Sequence, residues 1–156
     1  MKLPLKRAAL LASLILATAQ AEETNKITPA PDSSQALTRA AWDALGAGNF
    51  AAAETNTARC RELYEAKARE MQSSLTELAP PEKANDYWAL NDVGTCVFIA
   101  GRAAEEQGKK EEAAADYQAV IDLFPLAQCW DVQGWFWRPA VAAKERLTAL
   151  SFDNLK

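Results

Sequence analysis

The residues with chemistry to offer are few. Three cysteines (Cys60, Cys96 and Cys129), a tryptophan-rich run near residue 130 and 21 acids stand in a chain of 156 residues that holds no histidine. Without an imidazole, Ser-His-Asp and Cys-His nucleophiles, His-ligated zinc and HExxH metalloproteolysis are excluded. The cysteines form neither a CxxC motif nor a cluster, which argues against redox catalysis and a zinc site. No catalytic residue, metal ligand or cofactor is therefore expected. In Trp130-Asp131-Val132-Gln133-Gly134-Trp135-Phe136-Trp137, three indoles with Asp131 and Gln133 among them can stack on a sugar or a peptide proline. The same rings can instead fold back over a core, and a mixed outcome is expected, one ring exposed and two buried. Trp42, Tyr87 and Trp88 read as core or groove-wall residues. A glycosidase would need two carboxylates about 5–10 Å apart. Asp86, Asp92 and Asp131 are the acids near aromatic residues, whereas Glu105-Glu106 and Glu111-Glu112 read as solvated helix faces.

The compartment decides how the thiols are read. Lys2, Lys6 and Arg7 precede an eleven-residue apolar run, Ala8 to Thr18, and Ala19-Gln20-Ala21 forms a small-x-small cleavage site. That order is expected of a secretory signal peptide over residues 1–21, its apolar run too short to span a bilayer. A periplasmic or secreted location follows, without membrane insertion after cleavage. Removing three cations and no acid takes the formal charge from −4 to −7. So acidic a chain lacks the basic face of a nucleic-acid binder.

The elements that must position these residues are helices. With 49% hydrophobic residues, the chain has the material for one domain with a core. Residues 22–33, with two prolines, read as a flexible leader, with Asp32, Ser33 or Ser34 as helix cap. Apolar residues then recur at three and four: helix one from Ser34 to Ala47, helix two from Phe50 to about Leu78, helix three from Pro81 to Gly108. Helix four spans Lys110 to Phe124, and a last helix runs from about Gly134, or nearer Arg138 because of Pro139, to Leu150. Residues 34–150 form the helical domain and 151–156 a tail. No segment alternates with β-branched residues, so the class is all-α. Short connections at Gly46–Asn49, Ala79–Pro81 and Gly108–Lys109 make neighbouring helices antiparallel.

From Gly101, the residues Gly108, Ala113, Tyr117, Val120 and Pro125 follow at offsets of seven, five, four, three and five. Ala41, Gly48, Ala53, Thr57 and Cys60 repeat the same offsets around the earlier glycine turn. This spacing resembles a tetratricopeptide repeat, in which small residues sit at the close contacts of a helical hairpin. The two turn glycines lie 60 residues apart instead of about 34. The expected architecture is a stack of two antiparallel hairpins sealed by a C-terminal capping helix. The segments AWDALGAGNFAAA, DYWALNDVGTCVFIAG and FPLAQCWDVQGWFW are similar to those of a group of small exported bacterial tetratricopeptide-like proteins, some labelled β-glucanase precursors. The resemblance implies export and helical repeats. Tetratricopeptide grooves often hold a partner's C-terminal carboxylate in a clamp of Lys, Asn and Arg. Helix three offers Asn91 and Arg102 with Val97, Phe98 and Ile99 between them, which is not that clamp.

Folding the chain at its turns brings residues 122–125 level with about 92–95. A Cys96–Cys129 disulfide is therefore expected in an oxidising compartment, with Cys60 left as a buried thiol. The functional expectation is a non-catalytic scaffold of the cell envelope that binds a protein or peptide along helices one and three. The candidate surface is Asn91, Arg102, Trp130, Asp131, Trp135 and Trp137. The alternative is a glycan-binding accessory module built on the Trp segment, and behind it a β-glucan-processing enzyme.

Overall fold

Two turns organise the chain. In the computed structural model, which describes residues 30–153 apart from residue 132, Gly48 and Gly108 adopt φ of +71° and +74°. Both end a helix in the same way. Asn49 N bonds Ala44 O at 2.8 Å and Lys109 N bonds Ala104 O at 2.9 Å. Inside these bonds, Gly48 N reaches Leu45 O at 3.0 Å and Gly108 N reaches Glu105 O at 2.9 Å. This is the Schellman pattern, which needs a left-handed residue where glycine meets no Cβ penalty.

The first turn joins α1 (Ser34–Gly46) to α2 (Phe50–Ser73); the second joins α3 (Trp88–Glu106) to α4 (Lys110–Leu123). A short 3-10 helix (Pro81–Tyr87) leads into α3, and α5 (Pro139–Asp153) follows α4 after a small hairpin. The described chain is thus all-α but for β1 (Cys129–Trp130) and β2 (Phe136–Trp137), paired antiparallel as Cys129↔Trp137 and Trp130↔Phe136. Helix α1 is capped by Ser33, whose hydroxyl accepts from Ala36 N at 3.2 Å. The segment read as a signal peptide lies outside the described residues.

Helix α3 is the centre of the fold and touches every other helix. From Leu90 to Ile99 all its residues but Asp92 are buried, which explains why its sequence is apolar almost all round. One core, built on Leu90, Val93, Val97, Tyr117, Val120 and Phe124, joins α3 to its neighbours. A smaller one, Ala41, Ala53, Ile99 and Ala103, sits between the two hairpins. Small residues set the approach. A Cβ on Gly101 would lie 2.7 Å from the Tyr117 ring, and one on Gly94 would lie 2.8 Å from Ala127 Cβ. The outer face of α2 is polar, with Arg61–Glu65–Arg69 and Lys67–Glu70 contacts at helical spacing.

Several boundaries differ from the sequence reading. Helix α2 stops at Ser73 instead of Leu78, because the Ser73 and Ser74 hydroxyls bond back to Glu70 O and Met71 O and satisfy its last carbonyls. Helix α3 begins seven residues after Pro81, the intervening turn being 3-10. The last helix starts at Pro139 rather than Gly134, since Gly134 takes φ of +100° in the hairpin turn and Pro139 suits a first helical position. It continues to Asp153, into the segment read as a tail.

Candidate functional site

Helix α3 turns one mixed polar and aromatic stripe away from the core centre, with Thr95 and Phe98 buried and Asp92 and Arg102 partly exposed. Trp88, Asp92, Thr95, Phe98 and Arg102 recur at three and four, so they share one face. Helix α1 runs along one side of this stripe and gives Thr38 and Trp42; the hairpin closes the other side with Cys129, Trp130, Asp131 and Trp137. Between them lies an open groove of about 470 Å³. A second hollow of about 430 Å³, lined by Ser34, Tyr64 and Trp88, adjoins it and shares Asp92.

The walls are aromatic. Trp42, Phe98 and Trp137 form a mutually packed triangle, with centroids 6.2, 6.2 and 5.2 Å apart and tilted or edge-on planes. Phe98 rests in turn on Tyr117 in the core, at 5.7 Å. Trp130 stacks edge-on against Phe136 at 5.1 Å and stays exposed.

The floor carries Asp92. Its carboxylate accepts from the Ser34 hydroxyl, and burial pushes its pKa above the ordinary aspartate value. Asp131 stands at the rim, where its side chain accepts from Gln133 N at 2.8 Å and shapes the hairpin turn. Arg102 is held at 2.9 Å by Glu106 and at 4.0 Å by Glu105. Its Nε is buried and, among the described residues, has no hydrogen-bond partner. Glu105 also takes the Tyr117 hydroxyl and lies 3.5 Å from Arg146 Nε.

The hairpin is pinned by amides. Asn91 gives its Nδ2 to Ala84 O at 2.8 Å and takes Gln128 N at 3.0 Å, while Gln128 Nε2 reaches Ala79 O at 2.6 Å. Leu126 N is bound by Gln72 Oε1 at 3.1 Å.

Of the six residues expected on an interaction surface, the groove collects Arg102, Trp130, Asp131 and Trp137. Asn91 is not among them: it is buried and spends its amide on the chain's own backbone. Trp135 is exposed on the far side of the hairpin, in a shallow hollow with Arg138, Val141 and Glu145. The expectation of one exposed and two buried rings is also corrected. Trp130 and Trp135 are 60% and 51% exposed and Trp137 is half-buried. Strand alternation sends neighbours to opposite faces, so a hairpin this short cannot bury every ring. Trp42, read from the sequence as a core or groove-wall residue, lines the groove. Sequence reasoning missed Asp92 and Thr38 as groove residues; for Asp92 the three-four spacing of Asp92, Thr95 and Arg102 along α3 was the available signal.

The Cys96–Cys129 disulfide is absent, and all three thiols are free. Successive helical residues point about 100° apart. Thr95, not Cys96, meets Cys129, with Oγ1 and Sγ 3.1 Å apart. Cys96 turns toward α1 and α2, 3.2 Å from Thr38 Oγ1 and against Cys60. Its neighbour Cys60 and its burial hold the Cys96 thiol protonated, and burial pushes Cys129 up to about 11. Neither is an activated nucleophile.

Among the described residues no group of acids and cysteines could hold a metal ion, and no helix is long and apolar enough to cross a membrane. Comparison with protein-family models, curated proteins and solved structures finds no match to this chain.

Proposed function

We propose that this protein is a non-catalytic binding scaffold whose groove receives a peptide segment of a partner protein. The reading takes the fold as a tetratricopeptide-like stack of two hairpins capped by α5. Supporting it, Ala41, Ala53, Thr57 and Cys60 around the first turn are buried, as are Gly101, Ala113, Tyr117 and Val120 at the same offsets around the second. It also takes the chain as exported to the bacterial envelope, on the strength of the cationic, apolar and Ala-x-Ala order of residues 1–21. The observation that carries the function is the open groove itself, walled by Trp42, Phe98 and Trp137 and held between α1, α3 and the hairpin. Rigid walls of this kind lose little ordering entropy on binding.

The test is selection from a displayed peptide library, followed by titration using tryptophan fluorescence. Selected peptides should lose binding to Trp42→Ala and keep it with Trp135→Ala, which lies outside the groove. Binding that survives Trp42→Ala overturns the assignment to the groove.

A second reading has its own observation. Exposed indoles at Trp130 and Trp135 suit a sugar face, and a groove with two carboxylates, Asp92 and Asp131, suits glycan contact. Saturable fluorescence change with β-glucan oligosaccharides, without peptide binding, would favour it. Reducing-sugar release abolished by Asp92→Asn or Asp131→Asn would extend it to an enzyme.

A further inference from the structure

We infer that the groove selects a basic side chain, a lysine or arginine presented by a bound peptide. The inference rests on the peptide-binding reading above and names what that site recognises. Its ground is a largely buried acid without a cation. Several surface acids have cations beside them: Glu54 with Lys109, Glu62 with Arg59, Glu65 with Arg61 and Arg69, Glu70 with Lys67. Asp92, the largely buried acid of the groove, has a serine hydroxyl and, among the described residues, no cation within ion-pair distance. Asp131 on the same groove has a backbone N–H and likewise no cation there. Arg102, the groove's own cation, is turned to Glu106 and Glu105 and so does not serve either aspartate.

A buried carboxylate without a counter-ion costs stability, and an arriving cation recovers it. The walls fit the rest of such a side chain. Indole and phenyl rings attract a cation over their faces and cover the apolar stem behind it. The chain's net negative charge steers a basic segment toward the site.

The experiment titrates the folded protein with three short blocked peptides that differ at one central residue: lysine, arginine or norleucine. Lysine and arginine peptides should bind at least about tenfold tighter than norleucine at low ionic strength. The advantage should shrink in about 0.5 M salt and vanish in Asp92→Asn, whose fold is checked by circular dichroism. Asp131→Asn, at the exposed rim, should reduce the advantage less and serves as the second variant. Equal binding of the norleucine peptide overturns the inference and leaves the peptide groove standing. Failure of all three peptides at millimolar concentration, with β-glucan oligosaccharides binding instead, overturns both.

Discussion

Gly101 and Gly46 both lie in helices, and replacing each by alanine should move stability in opposite directions. A helical Gly→Ala change gains up to about 1 kcal/mol from backbone entropy alone. At Gly46, at the end of α1, an added Cβ meets nothing within 4 Å, so only that gain remains. At Gly101 the Cβ would lie 2.7 and 2.8 Å from two Tyr117 ring carbons and 3.3 Å from Asp116 Cβ. Carbon atoms pack best at about 3.5–4.0 Å, so the ring must retreat by roughly 1 Å. Tyr117 has little room, being fully buried, tied to Glu105 by its hydroxyl and backed by Phe98. Overpacking of this kind costs about 1–3 kcal/mol, leaving a net loss of about 1 kcal/mol. In a domain of this size that lowers Tm by about 4 °C. Differential scanning calorimetry on both variants reads the two signs side by side. Because Phe98 is also a groove wall, tryptophan emission should shift in Gly101→Ala and not in Gly46→Ala. A Gly101→Ala protein stabilised like Gly46→Ala would show that α3 and α4 do not approach as described.

Three more outcomes are expected. Asp92→Asn should raise Tm at pH 7, because burial raises the Asp92 pKa and so disfavours its charged form. The sign follows: the native state holds this proton more tightly, so its stabilising effect is complete below the ordinary value of 3.8 and lost as pH rises through the folded value. The Cys96 and Cys129 thiols beside it stay neutral throughout that window, and a variant with an unchanged pH profile would refute the assignment. Asn91→Ala should cost about 2–4 kcal/mol in urea unfolding, since it strands Gln128 N and Ala84 O in the interior; a loss under 0.5 kcal/mol would contradict their burial. With a thiol reagent under native conditions, partly exposed Cys129 should react first and slowly, while Cys60 and Cys96 wait for unfolding. A Cys96–Cys129 cross-linked peptide in a non-reducing digest would count against this arrangement.

The helices were legible because their signals are local. Glycines at 48 and 108 announce left-handed turns, and the three-four spacing of Leu90, Val93, Val97, Gly101 and Ala104 marks the inward face of α3. The complementary face, Trp88 to Arg102, was in principle readable from the same wheel, but only the fold supplies Thr38 and Trp42 to face it. Other features left no local trace. Strands of two residues carry no period, so Phe136 and Trp137 read as helix until their partners Trp130 and Cys129 are known. A single residue of helical register separates Thr95 from Cys96, and that step undid the disulfide. Asn91 reads as a solvated or binding residue because its partners are a carbonyl seven positions back and an amide 37 positions on.

One carboxylate reaches across the layers. Glu105 of α3 holds the Tyr117 hydroxyl of α4 and stands beside Arg146 of α5 and Arg102 of the groove. Beside the core packing of Ala143 and Leu150, this side chain adds a polar tie between the terminal helix and the helix that forms the groove floor. Neutralising Glu105 would slacken three polar attachments in one stroke, one of them to the arginine at the groove.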